Sequence, residues 1–186
     1  MKPDTTIKNS PDEEVAIRKA QGDPQAFRPL YEHYYARIFR FVLHRVADKE
    51  LTADITSQVF LKALQKLYQF QFRGLPFSSW LYRIAVNECN DFFRKSKRNR
   101  IVLLEEHHAE MLYEEMFGNE TLNELKAKLP LVVERLDLVE IQYIELRFLE
   151  GRPFKEVAEI IGVSETYAKV KTYRVLEKMK KLFLGK

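Results

Sequence analysis

Apolar residues along this chain recur at intervals of three and four, and no stretch of useful length alternates apolar with polar positions. That period gathers side chains on one side of a helix, whereas strands need a period of two. The clearest run is Phe27, Leu30, Tyr31, Tyr34, Ile38, Phe41 and Val42, which predicts a helix from Asp23-Pro24 to about Ala47. A shorter helix precedes it, with Ser10 as N-cap, Pro11 in the first helical position, Glu13 three residues after the cap, and Gly22 as the stop. Beyond the charged break Asp48-Lys49-Glu50, the residues Ile55, Val59, Leu64 and Leu67 turn inward and predict a third helix. Its outer side carries Asp54, Ser57, Gln58 and Lys62. Residues 69–76 interrupt the period with Phe70, Phe72, Arg73, Gly74 and Pro76, a loop rich in aromatic and turn residues. A fourth helix follows from Phe77, with Trp80, Leu81, Ile84 and Ala85 on one side, Trp80 and Phe93 as its expected core members, and a basic tail from Arg94 through Lys97 and Arg98 to Arg100.

The C-terminal third has the same character. A helix near Leu122 is bent or restarted by Pro130. Asp137 is placed as an N-cap with Glu140 three residues later, and Ile141, Ile144, Leu146 and Phe148 lead to a stop at Gly151. Phe154, Val157, Ala158, Ile160 and Ile161 form a compact helix ending at Gly162, and Ser164 caps a last one reaching about Leu182. A short helix, a glycine turn and a longer basic helix have the sequence form of a helix-turn-helix. The pattern predicts an all-α protein of two small helical domains, residues 1–98 and 121–186, joined by a linker over 99–120.

Charge adds what periodicity leaves out. The net charge of the 186 residues is only +4, but basic residues gather in 94–100 and 169–181, while no Lys or Arg stands between Arg100 and Lys126. Segregation of this kind directs particular faces toward a polyanion. The acidic stretch reads as a linker, partly helical, that is either a solvated tether or, through Glu105, Glu106, Glu110, Glu114 and Glu115, a segment that threads a partner's basic channel or lies against basic faces of both domains. The single cysteine, Cys89, rules out an intramolecular disulfide and implies a reducing compartment. No apolar run is long enough for a membrane helix, and Met-Lys-Pro-Asp does not begin a signal peptide, so a cytoplasmic protein without membrane insertion is expected.

An enzyme finds no support. There is no glycine-rich phosphate loop, no nucleophile motif and no set of ligands at metal spacing, so neither a catalytic residue nor a cofactor is expected. His33, His44, His107 and His108 propose no site, and adjacent histidines such as the last two are ordinarily solvent-exposed. Nucleic acid suits the remaining features better. On the last helix Thr166, Lys169, Val170, Tyr173 and Arg174 fall on one face, opposite Ala168, Thr172, Val175 and Met179. Lys169 and Arg174 reach phosphates or purine edges, and Val170 and Tyr173 offer apolar contacts to thymine methyls or sugars; the bland alternative is a solvated basic face. In the first domain, Phe70, Phe72, Phe77, Trp80, Tyr82, Phe92 and Phe93 exceed what a small helical core encloses, and the basic tail beside them favours base stacking by some.

Two stretches carry a family likeness. Trp80-Leu-Tyr-Arg-Ile-Ala-Val-Asn87, followed by Asp91-Phe-Phe-Arg94, resembles the promoter-melting helix of bacterial RNA polymerase sigma factors of the sigma-70 superfamily, in the short extracytoplasmic-function (ECF) group. Leu146-Arg147-Phe148-Leu-Glu150-Gly151, then Phe154-Lys-Glu-Val-Ala158-Glu-Ile-Ile-Gly162-Val-Ser164, resembles the same family's promoter-binding helix-turn-helix. The resemblance implies core RNA polymerase and promoter DNA as partners, and leaves room for an anti-sigma factor. It implies docking on core polymerase through Asp54, Ser57, Gln58 and Lys62, although Ser57-Gln58 stands where the family usually shows Gln-Glu. It implies contact with the minus-ten element by Phe70, Phe72, Arg73, Asn87, Asp91, Arg94, Lys97 and Arg98, and reading of the minus-thirty-five element by Thr166, Lys169, Val170, Tyr173 and Arg174. Thr166, Tyr167 and Val170 replace the family's common Gly, Thr and Ser, which implies a distinct minus-thirty-five sequence. The alternatives are a stand-alone helix-turn-helix regulator with an N-terminal sensor or dimerisation domain, and an interaction protein that sequesters other factors.

Overall fold

A computed structural model of the chain describes residues 11–72, 74–96, 105–118 and 128–185, and every regular element among them is helical. The predicted Ser10 cap lies outside these residues. Helix α1 spans Pro11–Gly22. Asp23 then caps a 3-10 turn, Pro24–Phe27, by accepting from the Gln25 amide, and only from Arg28 does the chain continue as α2, Arg28–Val46. Ala47 ends α2 in the left-handed region at φ 53°, and Asp48 at once caps α3, Lys49–Lys66, through the Leu51 amide. The predicted break at 48–50 is therefore one residue of turn and one of cap. A 3-10 turn, Leu67–Gln69, leads to the aromatic loop and α4, Phe77–Ser96.

Helices α2, α3 and α4 pack as a bundle because each supplies an apolar stripe: Leu30, Tyr34, Ile38, Phe41 and Val42 from α2, Ile55, Val59, Phe60 and Ala63 from α3, and Phe77, Leu81, Ala85, Cys89 and Phe93 from α4. Phe93 is core as expected, whereas Trp80 and Ile84 are only half-buried. Helix α4 is covered from two directions, by the bundle and by α8, so its fully buried arc also takes in Ser78, Ser79, Tyr82 and Val86 and turns the Trp80–Ile84 edge toward the margin.

The acidic stretch holds a helix, α5, Glu106–Phe117, and not only a tether. Ala109, Leu112, Tyr113 and Met116, at intervals of three and one, are buried in a second core with residues of α6, Leu129–Glu134, α7, Leu138–Ile144, and α9, Glu165–Phe183. The acids Glu110, Glu114 and Glu115 occupy its exposed side. Asp137 and Glu140 form the predicted capping box at the start of α7, which runs into a π turn, Glu145–Leu149. Gly151 follows at φ 62°, then α8, Phe154–Ile161, closed by left-handed Gly162.

The apolar interior does not divide where the two sequence domains do. Val157, Ala158 and Ile160 of α8, with Tyr143, Leu146 and Ala168, belong to the core cluster of the N-terminal bundle. Polar contacts cross the same seam. Arg45 of α2 pairs with Glu145 at 2.5 Å, both nearly inaccessible to solvent, and Arg45 also lies over the Phe41 ring. Arg152 donates to Glu156 at 2.8 Å and to Ser78 Oγ at 2.9 Å, while Ser79 Oγ donates to Glu156 at 3.0 Å. The Glu156 carboxylate thus sits at the first turn of α4, where the helix dipole favours an anion. Tyr82 Oη donates to Glu150 at 2.5 Å beneath the Arg152 guanidinium, and Gln142 donates to Asn90 at 3.0 Å.

Candidate nucleic-acid interface

The recognition-type helix is α9. Ser164 caps it by accepting from the Tyr167 amide at 3.2 Å, which fixes the turn after Gly162 and hence the angle at which the helix leaves α8. Ala168, Thr172, Val175 and Met179 are buried, and Thr166, Lys169, Val170, Tyr173 and Arg174 are all exposed on the opposite side. The division predicted from periodicity is the one observed. Tyr173 leans toward Phe154 of α8, ring centres 6.0 Å apart, so its ring is steadied at the helix-turn-helix elbow. Lys169, Val170, Tyr173 and Arg174 line an open groove of about 780 Å³ that continues past Lys178 to Lys181. Apolar floor and cationic rim together suit a sugar-phosphate backbone and the base edges beside it.

The loop before α4 is built around aromatic rings packed edge to face or tilted against one another. Phe70 lies 5.1 Å from Phe72, 5.1 Å from Phe77 and 5.3 Å from Trp80, and Gln21 of α1 holds the loop by donating to the Leu67 and Phe70 carbonyls. Phe77 is fully buried and Phe70 half-buried, so they form the base of the cluster; Phe72, 37% exposed, and the Trp80 margin are available to a ligand. Tyr82, counted among the surface-capable aromatics, is instead buried at the seam, where burial and the neighbouring Glu150 carboxylate push its phenol well above the ordinary range. A pocket of about 220 Å³ opens beside Phe70 and Trp80, bounded by Lys66, Arg83 and, from α8, Glu159. Arg83 stands 3.5 Å from Glu159, so the packed helix-turn-helix sets an acid at the mouth of this pocket.

Along α4, Asn87 and Arg94 are exposed and Asp91 is half-buried, with an ion pair of 2.9 Å between Arg94 and Asp91. These three follow Trp80 and Arg83 along the side of α4 that faces neither α2 nor α3. Arg73, Lys97 and Arg98 lie outside the described residues. On α3, Asp54, Ser57 and Gln58 form an exposed patch, and Ser57 Oγ donates back to the Ala53 carbonyl at 2.8 Å. Lys62 is turned aside by a 2.5 Å pair with Glu88 of α4.

Sequence reasoning missed two groupings. One is the seam, because nothing marks Arg45, Glu145 or Arg152 as buried until distant helices meet. The other is a cluster at the start of α5: ligand-type atoms of Glu105, His107 and His108 lie within 4.8 Å of one another, and His44 Nε2 is 3.2 Å from Glu105 Oε1. His107 is exposed as expected for adjacent histidines, but His108 is buried, and burial together with its imidazole neighbours lowers its pKa from the ordinary histidine value.

Comparison with known proteins bears on both halves. Residues 30–99 match the Sigma-70 region 2 family and residues 132–181 match Sigma-70, region 4. Over 173 residues the chain is 31% identical to the ECF RNA polymerase sigma factor BldN of Streptomyces coelicolor, covering 91% of this chain and 64% of that relative. It is 26% identical over 166 residues to the ECF RNA polymerase sigma factor SigX of Bacillus subtilis, covering 84% of this chain and 83% of the other. Among solved structures, CnrH in complex with the cytosolic domain of CnrY superposes with a TM-score of 0.63 at 19% identity, over 93% of this chain and 97% of that one, which is a likeness of fold.

Proposed function

From the premise that this chain belongs to the sigma-70 family of RNA polymerase sigma factors, in its ECF group, we propose that it is a promoter-specificity subunit of bacterial RNA polymerase. It binds core polymerase, brings it to a particular set of promoters in the cytoplasm, and helps open the DNA, with no covalent chemistry of its own. The observation that carries this reading is the presence, in one chain, of an exposed cationic and apolar strip on α9 and an aromatic, half-open loop before α4. The first suits duplex DNA and the second suits unpaired bases. A stand-alone regulator has no use for the second, and the relatives do not favour it.

The roles divide by geometry. Thr166, Lys169, Val170, Tyr173 and Arg174 read and grip the minus-thirty-five duplex. Phe70, Phe72 and Trp80 stack on bases of the opened minus-ten element, with Asn87 and Arg94 along the strand's path. Asp54, Ser57 and Gln58, exposed on α3 away from both, form the docking patch for core polymerase.

Magnitudes show why core polymerase is required. Opening about ten base pairs at ~1.4 kcal/mol per step costs on the order of 14 kcal/mol. Each stacked base returns only ~1–3 kcal/mol, and the loop has room for few. The free protein should therefore bind duplex poorly and melt nothing. Reconstitution with core polymerase on promoters selected from a random library tests the proposal. Start-site-specific transcription that depends on this chain is expected; none, with core polymerase active on a control sigma factor, would reject it. Tight, sequence-specific binding of duplex by the chain alone would point to a regulator instead.

A further inference from the structure

We propose that Glu105, His107 and His108, with His44 behind them, form a binding site for one divalent transition-metal ion of the zinc type, and that the ion fastens the start of α5 to the end of α2. The three donors lie within 4.8 Å of one another, close enough for a single ion to bridge them after small side-chain rotations. Two imidazole nitrogens and one carboxylate oxygen are a zinc-type donor set, whereas calcium and magnesium take oxygen throughout.

A second observation points the same way. His44 and His108 are both more than nine-tenths buried, and the Nδ1 atom of each finds no hydrogen-bond partner among the described residues. Buried imidazole nitrogens are ordinarily satisfied, so the open Nδ1 of His108, itself a member of the cluster, requires an explanation, whereas that of His44 lies across its ring from Glu105 and is not reached by the ion. For His108, the Leu149 backbone lies against the ring and Nδ1 is the nitrogen without a partner. His44 Nε2 meets Glu105 Oε1 at 3.2 Å, an imidazole that orients a ligating carboxylate from behind. Glu105 Oε2 then faces His107 Nδ1 at 3.4 Å. His107 and Glu105 are both exposed, which gives an ion its way in and leaves a position for water.

The placement supplies the consequence. His44 is in the last turn of α2, inside the N-terminal bundle, and Glu105–His108 open the helix that packs into the second core. An ion on Glu105, His107 and His108 gains the His44 partner only in the closed arrangement, so it binds that arrangement more tightly and stabilises closure by the difference.

The test uses the full chain, stripped with chelator and titrated with zinc by calorimetry, with cobalt as a spectroscopic probe of coordination. One equivalent should bind, cobalt should develop ligand-field absorption, and zinc should raise the melting temperature. Because both side chains are exposed, the double variant Glu105→Gln/His107→Ala should keep its helical circular dichroism and lose zinc affinity at least tenfold. His44→Gln should weaken binding by about 10–100-fold, the usual effect of removing an outer-sphere partner. His33→Ala, away from the cluster, serves as the control and should bind as the wild type does. Absence of saturable binding by the wild type, or unchanged affinity in the double variant, would overturn the site; unchanged affinity in His44→Gln would remove His44 from it. None of these readouts involves promoter or polymerase, so the outcome is independent of the transcription assay.

Discussion

Removing the Glu145 carboxylate by Glu145→Ala isolates the strongest polar contact across the seam. Arg45 and Glu145 meet at 2.5 Å with side chains 2% and 3% exposed, so solvent screening hardly weakens the pair. Breaking such a pair by deleting one member costs about 3–5 kcal/mol, chiefly because the other charge is left buried. Here the chain has a cheaper response than global unfolding, because parting the π turn and α8 together from the N-terminal bundle returns the Arg45 guanidinium to water. At ~1.4 kcal/mol per factor of ten, the open population should rise roughly a hundredfold to several-thousandfold. Amide hydrogen exchange reads this directly: protection across Phe154–Ile161 should fall, while α2 and α3 stay protected. The double variant Arg45→Met/Glu145→Leu should restore protection, since well-packed apolar replacements of buried ion pairs are neutral or stabilising. If Glu145→Ala left protection of α8 within tenfold of the wild type, the pair would contribute nothing to closure. If α2 and α3 lost protection together with α8, the cost would fall on the bundle, and the reasoning about the seam would fail.

Lys169→Ala should weaken promoter binding of the holoenzyme by ~1–3 kcal/mol if the side chain reaches a base, with loss confined to one minus-thirty-five position; equal loss on all sequences, with a shallower salt slope, marks a phosphate contact. Tyr34, buried and donating to Glu13, and Tyr82 both have phenols raised well above the ordinary value. The folded state then keeps protons that the unfolded chain releases above about pH 10, so stability should fall with rising pH from there, by up to about 1.4 kcal/mol per unit for each tyrosine. Urea unfolding between neutral and alkaline pH should show a flatter fall in Tyr34→Phe/Tyr82→Phe, and an unchanged slope would contradict the assignment. Ala47, at φ 53°, holds a conformation that glycine adopts without strain, so Ala47→Gly should raise stability by about 0.5–1 kcal/mol in the same assay.

Much of the fold was legible because it rests on local rules. Period and caps located α2, α3, α7, α8 and α9 to within a few residues, and Ser164 and Asp137 cap as predicted, while Asp48, read only as part of a charged break, is the cap of α3. The outer face of α9 was also legible, since one helix packed on one side obeys a single period. What failed was reasoning about sides that more than one neighbour covers. Trp80 and Ile84 looked like the centre of a core stripe, yet contact from α8 shifted the buried arc toward Ser78 and Tyr82. In the acidic stretch the many glutamates hid the Ala109, Leu112, Tyr113, Met116 pattern, which is apolar on one side all the same. His44 and His108 are 64 positions apart in sequence, and only the tertiary fold brings their rings to 6.0 Å.

Because α8 contributes Val157, Ala158 and Ile160 to the core of the first bundle while its flanking elements build the second, neither half ends its apolar interior within itself. The seam therefore couples the two halves, and their thermal transitions should overlap although the bundle survives an opening of the seam. Separation uncovers those three side chains and brings water onto them, so each opening carries a positive heat-capacity change and closure weakens in the cold. Temperature thus acts directly on how often the halves part.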